Sequence, residues 1–149
     1  RRAAMGFGVS QIDAGSRIDF GGYSKAGDAQ VFDREQFELG DVRSLDEVIR
    51  ELAETGYIPS FCTACYRIGR TGEHFMEYAI PGFIQRFCTP NALLTFKEYL
   101  VDYASPETRE AGDRLIREQV QKVEDPPVRE KLLSRLQKID ETEERDLYF

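Results

Sequence analysis

The stretch Ser60–Met76, SFCTACYRIGRTGEHFM, organises the reading of this chain. It holds Cys62 and Cys65 as a C-x-x-C pair in a turn-rich segment, with Gly69 and Gly72 close behind. The third and last cysteine, Cys88, follows after a gap of 22 residues, just before Thr89-Pro90-Asn91. All three cysteines fall in one pattern, which points to a single shared ligand. Thiolates are soft donors, suited to zinc, copper(I) or iron–sulfur clusters rather than to hard cations.

Three thiols leave three readings open. They can pack as small hydrophobes. They can join His74, the only histidine, in a four-coordinate zinc site. They can hold a 4Fe–4S cluster with one iron lacking a cysteine, and such an iron is free to bind something else. The local sequence favours the third reading. Arg67 and Arg70 flank the pair, and guanidinium groups offset the charge of an anionic cluster. Gly69 and Gly72 allow close approach of the backbone to bulky sulfide. The competing class is a stand-alone zinc-stabilised helical module for protein binding, built on Cys62, Cys65, Cys88 and His74.

Composition sets the outer bounds. The chain has 149 residues, 41% hydrophobic and 32% charged, enough for a globular domain with a core. A net charge of −7 disfavours generic binding to nucleic acid or anionic membranes. No run is long enough to cross a bilayer. An odd cysteine count without a secretory signal suits a reducing cytosol, so a cytoplasmic location is expected. The chain starts at Arg1 in what reads as the tail of a helix and ends in the apolar Leu147-Tyr148-Phe149. The expectation is therefore a fragment of a longer protein.

Working outward, Arg1 to Gly8 reads as a helix end, and Val9 to Ala14 as a short buried strand like the last strand of a (βα) barrel. Gly15-Ser16-Arg17 follows at the strand's C-terminal end, where barrel enzymes bind substrates. Asp19 to Asp41 reads as a glycine-rich loop, with Phe32 and Phe37 as anchors. Ser44 and Glu47 form a capping-box pattern for a helix through Thr55, with Leu45, Val48, Ile49, Leu52 and Ala53 on one face. Thr71 is expected to cap a helix over residues 72–80, lined by Phe75, Met76 and Ala79. Thr89 with Pro90 reads as the start of a long helix carrying Leu93, Phe96, Leu100 and Tyr103. Ser105-Pro106 and Asp125-Pro126-Pro127 begin two more helices, with stripes Ile116, Val120, Val123 and Val128, Leu132, Leu136, Ile139. The fold class is mainly α, with a short strand remnant at the N-terminus.

FCTACYRIGRTGEHFM at 61–76 and FCTPNALLTFKEYLVDYAS at 87–105 closely resemble the C-terminal domain of the FeFe-hydrogenase maturase that is a radical SAM tyrosine lyase. GVSQIDAGSRIDFGGYS at 8–24 resembles the last barrel strand and loop of the same family. The resemblance implies two parts: residues 1–40 as the end of a (βα)8-type radical SAM barrel, and 41–149 as a helical auxiliary-cluster domain. It implies that Cys62, Cys65 and Cys88 bind an auxiliary 4Fe–4S cluster, whose open iron holds cysteine or a further iron. It implies that Ser16 and Arg17 hold the substrate's amino-acid carboxylate. The parent would cleave tyrosine with S-adenosylmethionine and a second 4Fe–4S cluster, giving p-cresol and a fragment converted to carbon monoxide and cyanide on iron. Its partners would be the rest of its own barrel, tyrosine and downstream hydrogenase-maturation proteins, with no nucleic acid and no membrane. The C-x3-C-x2-C motif for the S-adenosylmethionine cluster is not in these residues, so the 149 residues alone should not cleave tyrosine.

Overall fold

The computed structural model of the chain describes residues 2–18, 20–24, 37 and 39–149. Phe32 and Asp19 lie outside them, and Phe37 is exposed. Among the described residues the chain is mainly helical: α1 (Arg2–Gly6), α2 (Leu45–Glu54), α3 (Ala64–Arg67), α4 (Gly72–Ala79), α5 (Gln85–Asp102), α6 (Pro106–Gln121) and α7 (Pro126–Glu141), with a 3-10 turn at Gly22–Ser24. It divides into two compact units, Arg1–Val48 and Ile49–Phe149.

In the first unit the expected strand at Val9–Ala14 is absent; these residues carry no regular structure. A strand exists only through a ladder with a neighbour, and the described residues of the unit include no other strand. Gly15 adopts φ +66 at a close approach: a Cβ there would meet the Leu45 main-chain nitrogen at 2.9 Å. The Ser44–Glu47 capping box forms as read from the sequence. The Glu47 N–H donates to Ser44 Oγ at 3.2 Å, and Glu47 Oε2 accepts from the Ser44 N–H at 2.8 Å.

The second unit is built around α5. Leu93, Leu94, Phe96 and Leu100 are buried on it, together with Asn91 and Lys97. A helix with so wide a buried surface needs partners on several sides, and α6 and α7 pack on it and on each other. From α6 come Ala111, Leu115, Ile116 and Val120; from α7 come Leu132, Leu136 and Ile139. Fully burying each such side chain contributes about 1.5–3 kcal/mol, so these triads and tetrads hold the three helices together. Ser105 and Asp125 cap α6 and α7 as their sequences foretell, accepting from the Thr108 and Val128 N–H groups, with proline in the first turn of each.

Two boundaries differ from the sequence reading. α5 starts at Gln85, so Thr89 is not its cap and Pro90 lies inside it. The chain is already turning before Gln85, with Cys88 N–H bonded to Ile84 O at 2.8 Å. Pro90 forfeits the ladder bond to Arg86 O and crowds that carbonyl, and the buried packing of α5 carries the helix across it. At the other end α5 stops at Asp102, leaving Tyr103 beyond it and 77% exposed rather than on the apolar stripe. Thr71 precedes α4 with no side-chain capping bond, and Met76 is exposed on that helix.

Candidate metal centre

Gly56 ends α2, with the Tyr57 N–H folding back to Leu52 O at 2.9 Å. The chain then runs extended through the buried Pro59 and is pinned to α5. There the Phe61 N–H donates to Thr95 Oγ1 at 3.3 Å, and the Phe61 ring stacks on Tyr99 with centroids 5.4 Å apart. This anchoring delivers Cys62 into the start of the site, its N–H donating to Ser60 Oγ at 3.4 Å. Cys65 sits one turn on, within the short α3. That helix ends at Gly69 with φ +74, a conformation that favours glycine. The turn lets the Arg70 N–H close back on Cys65 O at 2.9 Å, a Schellman-type end. Cys88 lies in the first turn of α5.

Cys88 feels the other two thiols. Loss of water around the sulfur pushes the Cys88 thiol up, although the residue keeps solvent access, and Cys65 and Cys62 push it further in the same direction. Arg70 opposes them. Cys88 thus lies near enough to the 62–65 arm for the charges of the thiols to interact. Among the described residues, no group of three or more His, Cys, Asp or Glu side chains gathers closely enough to hold a single metal ion.

Arg70 is the residue whose position the sequence did not reveal. It is 6% exposed, where a flanking arginine would ordinarily sit in solvent. Its guanidinium lies over the Phe87 ring, 4.3 Å from the centroid, and Nη2 donates to the main-chain oxygen of Phe149 at 2.9 Å. Nε is buried without a hydrogen-bond partner among the described residues. The same terminal segment is gripped by Asn91, whose Oδ1 accepts from the Phe149 N–H at 2.7 Å, and by Arg135, which bonds Tyr148 O at 2.5 Å. Arg67 is more open; it pairs with Asp146 and lies over the Tyr148 ring at 5.1 Å.

His74 stands on α4 with its side chain 49% exposed; Nδ1 is 3.0 Å from Glu77 Oε2, and the ring meets Tyr78 edge-on at 5.3 Å. Ser16 and Arg17 belong to the first unit and are half-buried, with the Arg17 N–H donating to the Tyr23 hydroxyl at 3.1 Å.

No protein-family model matches the chain, and no curated protein does. Among solved structures, however, the chain is similar in sequence and fold to part of a maturase of the [FeFe]-hydrogenase. That protein is HydG: the match has 46% identity and a TM-score of 0.86 over 99% of this chain. The chain spans 31% of the length of HydG. The resemblance read from residues 8–24, 61–76 and 87–105 is thereby borne out, and so is the mainly helical fold class. No helix among the described residues is long and apolar enough to cross a membrane.

Proposed function

We propose that the chain is the C-terminal part of a radical SAM tyrosine lyase of hydrogenase maturation, and that it holds the auxiliary 4Fe–4S cluster through Cys62, Cys65 and Cys88. The observation that supports this reading is Arg70, a buried cation with an orphaned N–H whose main chain bonds Cys65 O and whose guanidinium lies on Phe87, the neighbour of Cys88. A buried donor left without an acceptor is costly, and the sulfur atoms of an anionic cluster supply acceptors of the right charge. Three thiolates account for three irons. When bound, the cluster would supply an iron free of protein thiolate, open to cysteine or a further iron in making the carbon monoxide and cyanide ligands.

The chain's own residues do the holding. The arm that Phe61 staples to α5 presents Cys62 and Cys65, and the first turn of α5 presents Cys88. Phe61 on Tyr99 and Phe87 under Arg70 hold the two arms in place. In the same reading, the Ser16 hydroxyl and the Arg17 fork hold the tyrosine carboxylate, the rest of the barrel is the structural partner, and later maturation proteins receive the product. The tyrosine lyase chemistry and the S-adenosylmethionine cluster belong to the remainder of the protein. The engagement of His74 with Glu77 and its solvent exposure favour this reading over a zinc module.

Anaerobic reconstitution of the full-length protein tests it. Iron and acid-labile sulfide in excess of one cluster, with sulfide-to-iron charge-transfer absorption, are expected. Serine at Cys62, Cys65 or Cys88 removes the excess, whereas His74→Ala keeps it. Zinc without sulfide, or loss of metal on His74→Ala, overturns the proposal. Cys62→Ser with Cys65→Ser should spare p-cresol formation yet stop the iron–carbonyl–cyanide product.

A further inference from the structure

Arg70 is placed to do more than balance charge. Its main chain is bonded to Cys65 O at 2.9 Å, and its side chain lies on the ring of Phe87, the neighbour of Cys88. It therefore joins both arms of the ligand set. Its guanidinium is also fixed from behind by the Phe149 main-chain oxygen, which is itself held by Asn91. Stacking and that one bond define the plane of the fork, and of its nitrogens Nε is the one fully buried with no hydrogen-bond partner among the described residues.

We infer that Arg70 is a positioning residue that donates its Nε–H to a sulfur of the bound cluster and thereby raises the cluster's reduction potential. The inference rests on the proposed cluster. A fixed cation and a hydrogen bond to sulfur both favour the more negative, reduced form, and hydrogen bonds to the sulfurs are among the levers that set such potentials. Burial strengthens both effects, because little water screens the guanidinium. Lysine keeps the charge but has no planar fork to rest on Phe87 while reaching Phe149. The open iron depends on the electron density of the cluster behind it, so the arginine tunes how firmly that iron holds its non-protein ligands.

The experiment uses the full-length protein with the cysteines of the S-adenosylmethionine cluster replaced, so that only the auxiliary cluster contributes. Midpoint potentials are read by dithionite titration with electron paramagnetic resonance. Arg70→Met should lower the one-electron reduction equilibrium constant about tenfold, a negative shift of about 59 mV; Arg70→Lys should fall between Met and the parent. A potential unchanged in both variants, or a drop in cluster content with no shift in what remains, overturns the inference and leaves the cluster assignment standing. If Arg70→Met holds no cluster, pulsed resonance decides. Protein carrying Arg67→Lys and Arg86→Lys is labelled with 15N-arginine and reduced. A 15N coupling to the cluster is expected, and its absence defeats the inference. Absence of any cluster in the parent defeats the functional reading itself.

Discussion

Lys97 Nζ lies 2.7 Å from Asp113 Oδ1, tying α5 to α6 through a lysine whose side chain is only 7% exposed. Asp140 Oδ2 approaches the same nitrogen at 2.8 Å and brings in α7. One buried ammonium thus cross-links all three core helices. Lys97→Met should lower stability by about 1–3 kcal/mol, the cost of stranding its hydrogen-bonded partners. Arg109, 3.5 Å from Asp140, limits the loss. Chemical denaturation of the single variants Asp113→Asn and Asp140→Asn and of the double variant should show non-additive costs. Simple additivity would mean that the two carboxylates do not share the lysine.

Gly112 marks a close approach between α6 and α5. A Cβ there would stand 2.5 and 2.6 Å from the two terminal carbons of Leu100 and 2.9 Å from the Phe96 ring. Alanine gains about 1 kcal/mol in helix propensity, but overpacking costs about 1–3 kcal/mol. Gly112→Ala should therefore destabilise by up to about 2 kcal/mol despite the better helix former. Adding it to Leu100→Ala should cost less than adding it to the parent. An equal cost in both backgrounds, read from unfolding midpoints, would refute the steric account.

Two ion pairs hold the terminal segment. Hydrogen bonds from Arg145 keep the Asp102 carboxyl below its usual range, and those from Arg67 do the same for Asp146. A carboxyl depressed in the folded state contributes stability that is complete above its unfolded value, about 3.9, and is lost as pH falls through the folded value. Both pairs are partly exposed, so each contribution is modest. Below about pH 4, the N–H groups of Asp146 and Phe149 should lose protection against hydrogen exchange before the core does. Asp102→Asn with Asp146→Asn should show that low protection already at neutral pH. Acid-independent protection of the segment would contradict this.

Arg17→Lys in the full-length protein tests the carboxylate proposal. A lysine cannot reproduce two parallel hydrogen bonds, so tyrosine binding should weaken by about 1.5–3 kcal/mol while both clusters keep their spectra. Tyrosine titration followed by p-cresol yield reads the effect. Unchanged affinity would return Arg17 to a turn residue.

What the sequence disclosed follows from locality. The Ser44–Glu47, Ser105 and Asp125 caps are short-range devices, and their chemistry reads directly from adjacent residues. The stripes of α6 and α7 followed from helical spacing, and the cysteine pattern singled out the candidate centre. Pro90 misled because a proline near a helix start is ordinarily its first residue, whereas here the turn at 81–84 had already begun the winding. Arg70 and Asn91 were opaque for another reason. Their burial comes from contacts with Phe149, 79 and 58 residues away, and no local pattern encodes that. The strand reading at Val9–Ala14 failed for want of a partner within the described residues.

Pro90 has a consequence for how the centre is assembled. Without its N–H, the ladder of α5 lacks the bond to Arg86 O, so the turn bearing Cys88 is joined to the rest of the helix by one rung fewer. That turn can fray at lower free energy than the segment from Asn91 onward, which is locked in the core. Cys62 and Cys65 lie on an arm stapled to Thr95 and Tyr99, and so form the standing half of a clasp. If the proposed cluster is held here, Cys88 is the hinged half of that clasp, on a turn that can open for iron and sulfide without disturbing the three-helix body.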